Sequence, residues 1–367
     1  MTSTRKFIPG LELSRRFYHE AVLPVLNEHF PGLAHAAARI GHGSEVLGFD
    51  NEMSTDHSWG PSLQIFLREE EAGLAGEIKE ALSRNLPYVF YGYSTHFAES
   101  KLEPGTVHPE FKSEGPIEHM VQAVTLRAFI REDLAYDLDQ VVHVSDWLTF
   151  PSQKLRTLVA GAVYHDGIGE LSALRERFAW YPHDVWLYLL AAGWQRISQE
   201  EHLMGRAAYV GDELGSAIIG SRLVRDLMTL AFLMERQYAP YPKWFGSAFK
   251  QLKCAPELSP ALWRAQTAPT WQEREAALSE AYAYVARAHN GLGITPHVPE
   301  NISYFYGRPF NVIFGTRFVE AILAQITDPD VQKIASTRLI GSIDQFSDST
   351  DLREDASRRE RLRALYA

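Results

Sequence analysis

The chain has 367 residues, of which 46% are hydrophobic and 22% charged, and this composition predicts a globular protein of two domains. Its net charge of −10, without any basic run, argues against a nucleic-acid partner, because binding a phosphate backbone needs clustered Lys and Arg. A single cysteine, Cys254, excludes an internal disulfide. The N-terminus, Met1 to Arg16, has no apolar core of signal-peptide length, and no window of the sequence approaches eighteen uninterrupted apolar residues. We therefore expect a cytoplasmic protein that binds a small-molecule substrate and neither nucleic acid nor membrane.

Helical and extended patterns alternate in the first half of the chain. Apolar residues recur with a helical period over residues 11–30, and Pro31-Gly32 ends this helix. The apolar runs at 33–40 and 63–67 predict two strands. The later patterns predict, in order, a helix at 72–85, a strand at 88–93, a loop at 98–115, a helix at 117–137 and a strand at 160–164.

Long helical periods dominate the second half, where no strand is predicted beyond residue 172. The predicted helices cover residues 183–207, 214–238, 271–289 and 309–326, and a charged helix at 353–363 is expected to be solvated. The sequence thus predicts an α+β protein. An α/β domain over residues 1–172 would precede an all-α helical bundle over residues 173–367.

Within residues 40–60, the spacing between a glycine-serine turn and an aspartate indicates a functional site. If the strand at 33–40 ends in a turn at Gly43 and Ser44 opens a helix, backbone N–H groups at the turn can hold phosphate oxygens. Glycine permits the close approach that such contacts need. Phosphate groups are usually bound together with Mg²⁺, and this ion usually takes one or two protein carboxylates as ligands. Asp56 could supply one of them.

This segment resembles the nucleotidyltransferase superfamily of polymerase-beta-like fold, whose pattern is an apolar residue, Gly-Ser, a spacer of about nine to thirteen residues, and then Asp-x-Asp or Asp-x-Glu. Several strings along nearly the whole chain are also similar to a bacterial family of nucleotidyltransferase-like proteins of unknown function, namely GSEVLGFD, MSTDHSWGP, AGAVYHDG, YPHDVW, GDELGS and DQFSDSTD.

The resemblance implies that the first domain is nucleotidyltransferase-like and that ATP or another nucleoside triphosphate lies in the cleft between the domains. The enzyme would transfer a nucleoside monophosphate to a small-molecule acceptor with Mg²⁺ as cofactor. Gly43 and Ser44 would hold triphosphate oxygens, and Asp56 would be the metal ligand and a catalytic residue.

The sequence departs from the superfamily pattern beside Asp56. Ser58 stands where the pattern has a second carboxylate, and His57 stands where it has an apolar residue. A serine hydroxyl binds a metal ion less well, so the chain could instead be a diverged member of the fold that binds a small anionic metabolite, and Ser58 is a candidate ligand-binding residue together with Gly43 and Ser44. It could also run a different reaction in the same cleft, with His57 as acid or base near neutral pH. Asp50 and Glu52 follow Ser44 too closely for a helix and a return strand, and we assign them to a loop.

Candidate residues in the second half have two interpretations each. Glu200 could be a catalytic base in the cleft or one member of an ion-pair ladder along its helix. Lys243 lies among aromatic residues and could hold a phosphate beside a stacked ring, whereas Trp244 and Phe245 could simply pack in the core. The acidic loop at 344–351 could donate the missing metal carboxylate or cap local backbone groups.

Overall fold

The chain forms two compact units. The computed structural model describes residues 6–101 and 103–367. The prediction that the N-terminus carries no signal peptide therefore falls partly outside the described residues, because it includes residues 1–5. The first unit comprises Met1–Val141 and Lys154–Ala179, and the second comprises Val142–Gln153 and Trp180–Ala367. The domain boundary after residue 172 remains a sequence-based prediction. Among the described helices, none combines the length and apolar character needed to cross a bilayer.

The first part of the chain mixes short strands with helices. In chain order the elements are α1 (Gly10–Phe17), a π-helical turn (Tyr18–Val22), α2 (Leu23–His29), β1 (His35–Arg39), a 3₁₀ helix (Glu52–Asp56), β2 (Ser62–Leu67), a 3₁₀ helix (Glu69–Leu74), α3 (Ala75–Asn85), β3 (Val89–Phe90), β4 (Tyr93–Ser94), β5 (Phe97–Glu99), β6 (Val107–Pro109), β7 (Met120–Thr125), α4 (Leu126–Leu134), α5 (Val144–Thr149), α6 (Ser152–Val159), β8 (Ala162–Asp166) and α7 (Glu170–Arg177).

A four-stranded mixed sheet in the order β7-β2-β1-β8 organises the first unit. Strand β1 is antiparallel to both neighbours, while β2 and β7 run parallel, with α3 in the connection that a parallel pair requires. All residues of β1 and β2 are buried, which fits the mainly apolar sequences of the two strands. Buried side chains of α1, α3 and β2 belong to one hydrophobic core, among them Leu13, Phe17, Ile78, Leu82 and Ile65.

The second unit is mainly helical. Its remaining elements are α8 (His183–Glu200), α9 (Leu203–Tyr209), α10 (Glu213–Met234), α11 (Pro242–Phe249), α12 (Ala255–Thr267), α13 (Trp271–Gly291), β9 (Ser303–Phe305), β10 (Arg308–Val312), α14 (Thr316–Leu323), α15 (Pro329–Ala335), α16 (Ile343–Phe346), α17 (Thr350–Glu354) and α18 (Arg359–Arg363), with 3₁₀ turns at Ala356–Arg358 and Ala364–Tyr366.

Helix α8 is the central element of the second unit, because every residue from Val185 to Trp194 is buried. The indole N–H of Trp186 donates to the Leu233 carbonyl at 2.7 Å, which fixes α8 against the end of α10. Trp194 stacks on Phe318 of α14 with ring centroids 4.0 Å apart. These contacts anchor the helical core and satisfy a buried indole donor.

The structure confirms the α+β class and the strands at 33–40 and 63–67, and it corrects several elements of the first part. No helix opens at Ser44, where the chain instead forms turns up to Gly48. The predicted loop at 98–115 contains most of the β5–β6 hairpin. The predicted helix at 117–137 begins as strand β7, because pairing with β2 outweighs the helical propensity of these residues.

Two predictions for the second part are also wrong. The strands β9 and β10 form an antiparallel hairpin, so the second half is not all-α, and residues 309–312 belong to that hairpin rather than to a helix. The charged terminal segment is not simply solvated, because Arg353 and Arg359 are buried. Their guanidinium groups contact buried Asp344 and Asp146, which offset the cost of taking the charges out of water.

Candidate functional site

The glycine corner after β1 is built around a buried ion pair between Arg39 and Glu45. Arg39 Nη2 lies 2.6 Å from Glu45 Oε1, and the Glu45 side chain is only 3% exposed. The same guanidinium donates to the carbonyl oxygens of Ile40 at 2.9 Å and His42 at 2.5 Å. Arg39 therefore fixes the conformation of the corner, because the carbonyl groups of Ile40 and His42 both point toward its guanidinium.

This arrangement turns backbone donors of the corner away from the ion pair. In a trans peptide the C=O and the following N–H point in opposite directions, so the Gly43 N–H faces away from Arg39. Within the described part of the chain, the N–H groups of His42, Gly43 and Ser44 donate no hydrogen bond. His42 is exposed, and the other two residues are half-buried. Successive unpaired N–H groups of this kind form a concavity suited to an anion.

Gly43 is required by the shape of the corner. Its φ of +141° is a conformation that residues with a side chain rarely adopt. A Cβ at this position would lie 2.6 Å from Glu45 Oε1 and 2.7 Å from Arg39 Nη2. The glycine thus allows the ion pair to pack directly under the backbone whose N–H groups face outward.

Asp56 lies at the end of a 3₁₀ helix, on a loop that precedes β2. Its side chain is 63% exposed, and Oδ1 lies 2.9 Å from Nδ1 of His57. The Asp56 carbonyl contacts Nδ1 of His108 at 2.8 Å, while Ser58 donates its N–H to the Val107 carbonyl at 2.7 Å. The loop is therefore pinned to β6, and Ser58 takes part in a backbone contact there.

Gly10, the first residue of α1, lies against both Glu45 of the corner and Trp59, which follows the Asp56 loop. A Cβ on Gly10 would lie 2.6 Å from Cβ of Glu45 and 3.0 Å from the indole nitrogen of Trp59. Asp50 Oδ2 accepts from the Gly10 N–H at 2.7 Å and from Trp59 Nε1 at 3.1 Å. No hydrogen bond or ion pair within the described residues joins Asp56 itself to Gly43 or Ser44.

Asp50, Arg39 and Glu45 are the residues that sequence reasoning missed in this region. Asp50 was assigned only to a loop, yet its carboxylate holds the first backbone N–H of α1, where the helix dipole favours negative charge. The opposite charges of Arg39 and Glu45 on either side of a glycine-rich turn were a usable signal for the buried pair.

The donors around Asp56 do not form a protein-built metal site. Among the described residues, no group of three or more His, Cys, Asp or Glu side chains has a geometry that could hold a metal ion. Asp56 offers one exposed carboxylate with the His57 ring beside it. Ser58 Oγ accepts a hydrogen bond from the Val107 N–H, with 3.3 Å between the nitrogen and the oxygen. Magnesium at Asp56 stays a prediction, in which phosphate oxygens and water would supply the other ligands.

Glu200 and Lys243, both in the second unit, have local partners. Glu200 forms an ion pair with Arg222 of α10, and burial raises the pKa of its carboxyl above the ordinary value. Lys243 Nζ lies 5.0 Å from the ring centroid of Trp244, whose indole donates to the Tyr241 hydroxyl at 2.7 Å. The Glu200 pair joins two helices rather than forming a ladder along one.

The acidic segment after Gly341 contains both a capping hydroxyl and a largely buried carboxylate. Ser349 caps α17 by accepting from the Leu352 N–H at 3.3 Å, as the capping interpretation expects. Asp344 is different, since it accepts from the Ser152 N–H at 2.8 Å and is largely buried. Burial raises the pKa of the Asp344 carboxyl.

Residues 147–245 match a domain of unknown function (DUF4037). None of the curated proteins matches the chain. Among solved structures, the chain is similar to that of a nucleotidyltransferase-like protein from Exiguobacterium sibiricum 255-15, with a TM-score of 0.32 and 10% identity, covering 77% of this chain and 78% of that one.

Proposed function

We propose that the first unit is a nucleotide-binding module that holds the phosphate groups of a nucleoside triphosphate at the glycine corner. The observation that carries this proposal is the set of unpaired backbone N–H groups at His42, Gly43 and Ser44. The Arg39 contact to the His42 carbonyl fixes the direction of the Gly43 N–H, so this donor is held in place before a ligand arrives. Pre-organised donors bind an anion without the cost of ordering the loop.

A second candidate function is transfer of the nucleoside monophosphate to a small-molecule acceptor. The exposed carboxylate of Asp56 favours it, because a carboxylate at this spacing from Gly-Ser is the residue that the superfamily pattern calls for. Ser58, which stands where that pattern has a second carboxylate, favours binding without transfer. In either case, the corner would supply fixed positive dipoles to the phosphates.

Isothermal titration with ATP, with and without Mg²⁺, tests the binding proposal. The protein should release or absorb heat with a stoichiometry of one, and Ser44→Ala should weaken binding, because it removes a hydroxyl beside the N–H groups. Gly43→Ala should abolish binding, since its Cβ would collide with the Arg39–Glu45 pair. Gly48→Ala is the matched control. Gly48 also has a positive φ in the same loop, but a Cβ there meets nothing within 4 Å.

Pyrophosphate release separates transfer from binding. If the chain is a transferase, wild-type protein should release pyrophosphate from ATP with Mg²⁺ in the presence of an acceptor, and Asp56→Asn should lose this while keeping its fold. Heat without pyrophosphate, under a range of hydroxyl and carboxylate acceptors, supports the binding module alone. Unchanged ATP binding in both Gly43→Ala and Ser44→Ala would refute the corner as the site.

A further inference from the structure

The second unit contains two adjoining cavities that no part of the proposed function uses. The larger has a volume of about 420 Å³ and lies beside α8, α10 and α11, and the smaller has a volume of about 290 Å³. They share a border formed by Arg225, Thr229, Asp344, Gln345 and Asp348. Protein interiors are close-packed, and a cavity above about 300 Å³ falls within the size range of small-molecule sites.

Aromatic side chains form part of the lining of the larger cavity. The rings of Trp180 and Tyr238 lie 4.8 Å apart between centroids, and Tyr181 lies 5.0 Å from Tyr238. Phe232 and Phe245 form a second aromatic pair in this lining, with centroids 5.3 Å apart, and these five residues together are called the aromatic wall. Such a wall favours a flat, apolar ligand group, because rings stack and bury large areas at little entropic cost.

Charged groups occupy the border between the two cavities. Arg225 pairs with Asp348, and both side chains are partly exposed, at 42% and 72%. Arg353 and Asp344 are mostly buried, with Nη1 and Oδ1 3.7 Å apart. Beyond the border, the smaller cavity is lined by two further arginines, Arg196 and Arg222, and by Asp226.

The Arg225–Asp348 pair is the exchangeable contact at this border. An exposed ion pair stabilises a protein little, because water and salt screen it. A ligand anion that reaches the guanidinium from the cavity side can therefore take the place of Asp348. The buried Asp344 is less suited to exchange, since it also accepts the Ser152 N–H.

We propose that this pair of cavities binds a small aromatic molecule that carries one anionic group, with its ring against the aromatic wall and its anion on Arg225. Asp348 competes with the ligand for Arg225 and so sets the affinity. The site lies wholly within the second unit and is independent of the glycine corner.

Two fluorescent probes with the same rings test the proposal on the full-length protein. 8-Anilinonaphthalene-1-sulfonate carries a sulfonate, and N-phenyl-1-naphthylamine lacks it. The anionic probe should bind with a stoichiometry of one and a blue-shifted emission. Arg225→Gln should weaken its binding by roughly tenfold, as expected for a lost charged hydrogen bond, and leave the neutral probe unchanged.

Three further variants locate the probe. Asp348→Asn should tighten binding of the anionic probe, because it removes the competing carboxylate. Phe245→Ala should weaken both probes, since Phe245 is a half-buried wall residue. Arg264→Gln is the matched control. It removes an exposed arginine that pairs with an exposed glutamate, Glu280, and lines neither cavity.

Displacement distinguishes the possible anions. 1-Naphthyl phosphate and 1-naphthoate should be compared as competitors of the anionic probe, and displacement by either supports the proposal and identifies the preferred group. Displacement by neither overturns it. Equal affinity of the anionic probe for wild type, Arg225→Gln, Asp348→Asn and Phe245→Ala would likewise exclude these cavities as the site, provided that circular dichroism shows all four to be folded.

Discussion

Gly43 shows how one residue can satisfy a structural and a functional requirement together. In the sequence, the glycine is interpreted as the residue that lets a phosphate approach the backbone closely. In the structure, the same lack of a side chain first allows the Arg39–Glu45 pair to pack beneath the corner. The structural role alone explains why glycine stands there, so the functional role rests on the direction of the unpaired N–H groups.

Glu201 is a buried carboxylate whose role only the folded chain reveals. It is 5% exposed and accepts from the N–H groups of Ile313, Phe314 and Gly315, at 2.7, 3.2 and 3.1 Å. Burial raises the pKa of its carboxyl to about 7, even though the three N–H donors favour the charged form. Its sequence neighbour Glu200 seemed the better candidate because its helical spacing to Arg196 was visible.

The raised pKa of Glu201 predicts a pH dependence of stability. Between pH 4.5, the ordinary pKa, and about 7, the folded protein retains a proton that the unfolded chain has lost. The free energy of unfolding should therefore fall as pH rises through this window, by at most about 1.4 kcal/mol per pH unit from this group. Urea denaturation of wild type and Glu201→Gln measures the difference.

The Glu201→Gln protein should lack this part of the slope, whatever its overall stability. Glu360→Gln, at an exposed position, is the control and should keep the wild-type profile. Parallel profiles for wild type and Glu201→Gln over this pH range would contradict the assignment.

At the scale of elements, the C-terminal helix α18 is attached to α5 by charge. Asp146 is 2% exposed, and its Oδ1 lies 2.6 Å from Nη1 of Arg359 and 3.3 Å from Nε of Arg363. Its other oxygen accepts the His143 N–H at 2.9 Å and so caps α5. One carboxylate thus starts one helix and anchors another.

Asp146→Asn should release α18 from this contact. Breaking a buried ion pair by removing one partner costs about 3–5 kcal/mol, because the remaining charge is left without compensation. The arginines of α18 are trypsin sites, and their cleavage rate should rise at least about tenfold as local opening becomes easier. Limited proteolysis followed by mass spectrometry measures this rate.

Glu360→Gln again provides the comparison for this experiment, because it alters an exposed ion pair with Arg363 in the same helix. Its cleavage rate should stay close to that of the wild type. If Asp146→Asn were cleaved at the wild-type rate, hydrophobic contacts and the Tyr366 hydroxyl, which donates to the Gly341 carbonyl at 2.7 Å, would be what holds the segment.

At the scale of the whole molecule, the first unit is completed by a segment from later in the chain. Strand β8 pairs with β1, with Ala36 opposite Asp166 and Arg39 opposite Ala162. Without β8, the buried small residues of β1 would form an open sheet edge, which is a template for aggregation. Residues 154–179 are therefore part of this unit's fold and not a linker.

This division predicts the behaviour of fragments. A fragment of residues 1–179 should be soluble and unfold cooperatively, whereas a fragment of residues 1–141 should aggregate because β1 has lost its partner. Thermal unfolding followed by circular dichroism, together with size-exclusion chromatography, tests both. Equal solubility and cooperativity of the two fragments would show that β8 is dispensable.

The sequence by itself determined the elements whose signal is local. The strands β1 and β2 are predicted by short apolar runs, and the long helices α10 and α13 by the periodicity of their apolar residues. When one face of an element is buried, residues close together in the sequence must be apolar at regular intervals, so the pattern is local. The turn at Gly43-Ser44 was also indicated by a local signal, namely two small residues shortly after an apolar run.

Only the tertiary structure decided the features that depend on distant partners. Strand β7 forms because β2 lies beside it, Arg359 is buried because Asp146 meets it, and Glu201 holds a turn more than a hundred residues away. The aromatic wall and Arg225 come together from separate segments. Pairing and burial between distant residues leave no periodic pattern in the chain, so a sequence can show the groups but not which of them meet.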